Sequence, residues 1–258
     1  MNKIARLRVG FGVLPLIFGF FFFACGNDDV ENGKPVDTHP IGIAPPKKSS
    51  GIITGRVMLA RNVYASQPKS ISISKDTDIC GFSKSDKSLL MRDGGIENTV
   101  VWIEGMPAGR SWPFHFPALD QKKCEFKPRL MFVGVGEEMT VLNNDGILHN
   151  LHTYSRINPA LNIAQPKFKK EIKVKFEKPE IIKIGCDVHS WMSGVVVVAD
   201  HIYYAATNSE GEFNFLQDVP AGKYMLRAWH EKLGELSQEV LVESGKTTEI
   251  IFEYTKIP

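Results

Sequence analysis

From Gly51 to Tyr254 the chain is a series of short β-branched runs broken by Gly, Asn, Asp and Pro. "GIITGRVMLA", "TVVWIEG", "RLMFVGVG", "MTVLNND", "EIKVKFEKPEIIKIG" and "GVVVVAD" each have room for one or two strands, with turn residues where a helix would have to continue. In "EIKVKF", Ile172, Val174 and Phe176 point to one face and Glu171, Lys173 and Lys175 to the other. That period of two is the pattern of a half-buried strand. No stretch sustains a helical period. The chain is therefore expected to be all-β, folded as sandwiches or barrels.

A second unit is expected from residue 201. There "YYAATNSEGEFNFLQDVPAGKYMLRAWH" sets the turns "NSEGE" and "VPAGK" between alternating strands, and "SQEVLVESGKTTEIIFEY" adds a further pair. A unit spanning only 201–258 is marginal by itself and is expected to pack on the unit before it, 51–200.

The N-terminus points to export. "MNKIARLR" carries Lys3, Arg6 and Arg8 ahead of an apolar run from Val9 to Ala24, the build of a signal-peptide core. The run ends in "FFACG", where Ala24 before Cys25 resembles the cleavage box of bacterial lipoproteins, whose Cys is lipidated. Phe22 and Phe23 depart from that box. A plain signal peptide and an uncleaved anchor helix are the alternatives, and all three readings export the body. The expected division is a lipoprotein-type signal peptide over 1–25, then a tether over 26–50 that contains Pro35, Pro40, Pro45 and Pro46. The expected location is periplasmic or outer-membrane-associated, held to the membrane by the lipid.

Export changes the reading of the four cysteines, because disulfides persist outside the cytoplasm. Cys25 is assigned to lipid. Cys80 in "DTDICGFS" and Cys124 in "QKKCEFKP" can pair, which leaves Cys186 without a thiol partner. Metal ligation is one account of a lone Cys in such a compartment. A net charge of +2 gives no footprint for nucleic acid. "WHEKLG" lacks the second His of a zinc-protease helix.

"GCDVHSWMSG" then sets Cys186, His189 and Met192 in one short stretch. Thiolate and thioether are soft donors and imidazole is borderline. With a second imidazole this is the donor set of blue-copper electron-transfer centres. His149 in "NNDGILHNLH" is available, after a strand ending and a turn. Two His, one Cys and a distant Met suit neither Cu(II) nor Cu(I) fully, so neither oxidation state reshapes the site much. Each residue alone has an ordinary reading, since Cys is commonly buried and Met commonly fills core gaps. A Cys and His three apart can also be a thiol nucleophile and its base, but no oxyanion-hole motif accompanies them. The joint pattern favours copper.

On these residues the chain resembles the cupredoxins, and the spacing Cys-x-x-His-x-x-Met resembles the amicyanin type. "FKPRLMFVGVGEEMTVLNNDGILHN" is similar to the family's earlier signature at Phe126, Pro128, Gly136, Val141, Asn143, His149 and Asn150. The resemblance runs from Glu125 to Ala199. It implies a Greek-key β-sandwich holding one type 1 copper through His149, Cys186, His189 and Met192. It implies that Asn150 ties the two ligand loops together, that His152 is not a ligand, and that His189 sits at the surface as the exit toward a redox protein. Asp187 stands where the family has Ser or Thr, and an ionised carboxylate there is expected to lower the potential. Val188 and Ser190 replace the prolines of the amicyanin loop. Trp191 is read as a docking aromatic or as packing.

The last unit resembles the carboxypeptidase-regulatory-like (prealbumin-type) sandwich at Gly211, Phe213, Phe215, Pro220, Gly222, Tyr224 and Leu226. That family begins with a strand of the form of "GIITGRV", so Gly51–Val57 is expected to join this small sandwich, with the cupredoxin unit inserted. The lysines of 167–183 suit either an acidic partner or a solvated strand face. The expectation is an exported, lipid-anchored copper protein for one-electron transfer with an unknown redox protein, and not an enzyme. The alternatives are a copper binding and delivery protein or a metal-free envelope binding module.

Overall fold

A computed structural model describes residues 49–63, 68–108 and 117–257. The expected signal peptide, Cys25 and the part of the expected tether before Ser49 lie outside the described residues. The chain opens with the long strand β1 (Ser50–Leu59), then an excursion of β2 (Ser70–Ser72), the helical turn α1 (Thr77–Cys80) and β3 (Ser83–Ser85). Next come β4 (Met91–Arg92), β5 (Gly95–Ile96) and β6 (Val100–Ile103). A middle block follows: β7 (Ala118–Gln121), β8 (Phe126–Lys127), β9 (Leu130–Gly134), β10 (Glu138–Asn143), β11 (His149–Thr153), β12 (Asn162–Gln165), β13 (Glu171–Lys175), β14 (Glu180–Gly185) and β15 (Ser193–Ala199). The last strands are β16 (Tyr204–Ala206), β17 (Glu212–Asn214), β18 (Val219–Pro220), β19 (Gly222–His230), β20 (Gly234–Val242) and β21 (Thr247–Tyr254). The chain is all-β, as its turn-broken pattern requires.

The middle block forms one sandwich. Its two sheets run β13-β10-β7-β8 and β12-β11-β14-β15-β9. Alternation fills the space between them: Ile172, Val174 and Phe176 are buried while Glu171, Lys173 and Lys175 are exposed. Leu119, Met139, Val141, Leu151, Ile182, Ile184, Val196 and Val198 complete the core. Each fully buried Val, Leu or Ile in such a core stabilises it by about 1.5–3 kcal/mol.

β15 is apolar on both faces, and its surroundings say why. Val196 and Val198 face this core, whereas Val195, Val197 and Ala199 pack with Val100 and Tyr204 of the other sandwich. An uninterrupted valine run is what a strand covered on both sides requires. Trp102 stacks on Tyr204 in the same seam at 6.2 Å between ring centroids.

The second sandwich gathers strands from both ends of the chain. β1 pairs with β17, β18, β5 and, in parallel, with β21, which sets Ile53 beside Thr248 and Val57 beside Phe252. The facing sheet runs β16-β6-β19-β20. Ile53, Val57, Ile96, Val101, Phe213, Leu226, Val240 and Phe252 share its core. The division expected between residues 200 and 201 is therefore not the division between the sandwiches, since β1 and β4–β6 complete the second one and the middle block interrupts it. "TVVWIEG" belongs here, not with the middle block. β20 and β21 lie in opposite sheets instead of pairing with each other. Gly211 closes the "NSEGE" turn at φ 78°, and a Cβ there would meet the Val57 carbonyl at 2.4 Å.

Candidate metal centre

β11, β14 and β15 lie side by side, and their ends bring His149, Cys186 and His189 to one place. His152 of β11 registers with Gly185 of β14, so His149 at the head of β11 meets the loop that leaves β14. That loop, 186–192, is closed by the pairing of Gly185 with Ser193. Within it the His189 carbonyl accepts the Met192 N–H at 2.9 Å, and the Met192 carbonyl accepts the Cys186 N–H at 3.3 Å. Gly194 lets β15 start close to β9, where a Cβ would meet the Arg129 carbonyl at 2.8 Å.

Cys186 Sγ lies 3.9 Å from Nδ1 of His149 and 3.9 Å from Nδ1 of His189, and the two nitrogens are 3.0 Å apart. A point in this triangle about 2.0 Å from each nitrogen falls about 2.3 Å from the sulfur, the lengths that imidazole and thiolate take on a divalent first-row ion. The donor set thus fits a metal by size as well as by type. Both imidazoles are fully buried, and Cys186 and Met192 are buried with them. A cavity of about 160 Å³, lined in part by Ile71, Lys84 and Phe126, reaches Trp191 and Met192 from the side.

Carboxylates hold the outer nitrogens of both rings. Asp145 Oδ2 lies 2.9 Å from Nε2 of His149, and Asp76 Oδ2 lies 2.9 Å from Nε2 of His189. A ring that gives its Nε2–H to a carboxylate keeps its Nδ1 lone pair free for a metal. Asp145 is itself seated by the backbone N–H groups of Lys123 and Cys124. The turn that carries it is pinned by buried Asn143, whose Nδ2 donates to the Ile147 carbonyl at 2.8 Å.

The electrostatics prepare the sulfur and His189 for ligation and leave on His149 a proton that a metal would displace. Burial pushes the Cys186 thiol up, but the contact with His149 and backbone hydrogen bonds at Asn150, His189 and Val188 outweigh it and hold the thiol below its usual range. Burial pushes His149 down, yet Asp145 and the Cys186 sulfur raise it to about 9. His189 lies below the ordinary imidazole range, chiefly because it is buried, with the His149 cation adding to the effect against Asp76. The thiolate and the neutral His189 are in the form a metal takes up, and binding would release the proton held by His149.

Asn150 bridges the loops: its Oδ1 accepts the Asp187 N–H at 2.6 Å, and its Nδ2 donates to Asn162 at 2.7 Å. The Asp187 side chain, about half exposed, turns outward to His152 Nδ1 at 2.8 Å and Asn162 Nδ2 at 2.7 Å. His152 is thereby engaged away from the three donors. Cys80 and Cys124 form a disulfide with Cα atoms 5.1 Å apart. The expectation that His189 reaches the surface is corrected: the excursion between β1 and β4 lies over it and takes its Nε2. Asp76 and Asp145 went unassigned in the sequence. Asp145, four residues before His149, had a readable signal, whereas Asp76 had none. Of the lysines in 167–183, Lys173 and Lys175 are paired with Glu138 and Glu177.

No protein-family model matches the chain, and no curated protein matches it. Among solved structures it is similar in part to a methionine-to-alanine mutant of amicyanin in the Cu(I) form. That match has 21% identity, 38% of this chain, 98% of the other and a TM-score of 0.30. The purple cupredoxin of Nitrosopumilus maritimus matches at 19% identity over 32% of this chain and 99% of its own, with a TM-score of 0.28. A copper-containing nitrite reductase from Thermus scotoductus SA-01 matches at 18% identity over 38% of this chain and 25% of its own, with a TM-score of 0.30. These likenesses are to cupredoxin structures and cover the minor part of the chain.

Proposed function

We propose that the chain is an exported mononuclear type 1 copper protein that carries single electrons. The observation that carries the reading is the triangle of Cys186 Sγ and the two Nδ1 atoms, sized for one ion and buried together with Met192. Copper in such a donor set supplies a one-electron couple with little change of ligands. The protein's own part is to keep those donors fixed. Asp145 and Asp76 orient the rings, Asn150 ties the two ligand loops, and burial of all four side chains limits their contact with water. That burial supports a carrier over an enzyme. The Cys80–Cys124 bridge supports an oxidising compartment, in keeping with the signal segment.

With His189 covered, the half-buried Trp191, whose ring centroid is 5.1 Å from that of His189, supports an approach of the redox partner from its side. Voltammetry of the copper-loaded protein tests the reading. The expected result is a reversible one-electron couple with one copper per chain. Copper that binds but leaves rapidly to a chelator, with no reversible couple, would indicate delivery instead.

A further inference from the structure

The excursion between β1 and β4 adds no strand to either sandwich, yet its side chains reach His189. Asp76 lies 113 residues from His189 in sequence and meets it at Nε2. It is the N-cap residue of α1, where an Asp ordinarily turns its carboxylate onto the helix N–H groups. Here it makes no such cap bond and adopts φ 52°, the left-handed region that side chains other than Gly rarely occupy. Both local preferences are given up, and the carboxylate points at the imidazole instead.

The disulfide explains how that geometry is held. Cys80 ends α1, and its partner Cys124 donates its backbone N–H to Asp145, the carboxylate on the other imidazole. Donor atoms of Cys80, Cys124 and His189 all lie within 4.8 Å of one another, as do those of Cys124, Asp145 and His149. One covalent bridge thus ties the segment that bears Asp76 to the loop whose backbone N–H groups seat Asp145. Ile73 anchors the excursion in the core of the ligand-bearing sandwich.

We propose that Asp76 is the positioning residue that presents Nδ1 of His189 to the metal, and that the Cys80–Cys124 bridge keeps it there. The excursion is then a built-in cover of the metal centre. It fixes the ring tautomer, shuts the imidazole edge to partners and slows metal exchange. This deepens the copper reading and rests on it.

The test uses the full chain and the variants Asp76→Ala, Asp76→Asn and Cys80→Ala/Cys124→Ala. Release of Cu(II) to excess EDTA is expected to be about 10–100-fold faster in Asp76→Ala. It should also be faster in the bridge-free protein, and close to wild type in Asp76→Asn, whose oxygen still accepts the Nε2–H. In metal-free protein, imidazole ¹⁵N NMR should show one His189 tautomer in the wild type and a mixture in Asp76→Ala. Unchanged release and an unchanged tautomer in Asp76→Ala, with only a lower melting temperature, would make the excursion a structural element and overturn the proposal. If the wild type takes no copper, the copper reading fails separately, and the tautomer measurement still decides the role of Asp76.

Discussion

The side-chain oxygen of Asn150 accepts the backbone N–H of Asp187 at 2.6 Å, joining the strand that begins with one ligand, His149, to the loop that begins with another, Cys186. Removing that side chain strands the Asp187 N–H and frees the ligand loop from β11. Asn150→Ala is expected to lower stability by about 1–3 kcal/mol, the cost of leaving a partly buried donor unmade. Urea unfolding of the metal-free protein measures this, with copper release to a chelator as a second readout that should quicken.

Acid should destabilise the second sandwich through His230. This imidazole is buried, and burial together with Arg129, Lys183 and Lys232 pushes its pKa down to about 4. A base whose folded pKa lies below its unfolded value binds protons more readily when unfolded. Its neutral form costs nothing above about pH 6.5, and stability is lost as pH falls from there toward 4. The loss should reach about 3 kcal/mol near pH 4, as an order of magnitude. His230→Gln should flatten that part of the stability–pH profile in urea titrations at pH 7 and 4.5. An equally steep fall in the variant would remove His230 as the cause.

Arg129 ties the ligand loop to the second sandwich. Its guanidinium grips the Ser193 carbonyl and hydroxyl, directly after Met192, and pairs with Glu231 between β19 and β20. Both side chains are about 15% exposed, so the pair is partly desolvated. Glu231→Ala should cost about 1.5–3 kcal/mol, in the range of hydrogen bonds to charged groups. A measured loss below about 0.5 kcal/mol would class the pair with screened surface bridges.

Local pattern carried much of this fold. The alternation in "EIKVKF" set the inward faces of β13, while the valine run of β15 was read only as a strand and its cover on both sides came from the structure. Cys186, His189 and His149 lie together because β11 and β14 are neighbours, and the spacing within one loop made the first two visible. Sheet membership was less legible. A period of two says which way a side chain faces and not which strand lies alongside, so "TVVWIEG" was placed with the unit 51–200, whereas β6 pairs with β16 and β19. "GIITGRV" was the exception, recognisable by its own form. Asp76 could not be read at all. In "SKDTDIC" it looks like a helix cap, and only the tertiary fold turns its carboxylate onto a ring 113 residues away. The surface position expected for His189 failed for the same reason, because the cover comes from a segment with no metal-binding pattern.

The most direct test is the absorption spectrum of the purified protein titrated with Cu(II), beside Cys186→Ala. The account predicts an intense thiolate-to-copper charge-transfer band in the visible, saturating at one copper per chain and absent from the variant. A protein that stays colourless through the titration would contradict it, and "GCDVHSWMSG" would then be a packed loop between β14 and β15.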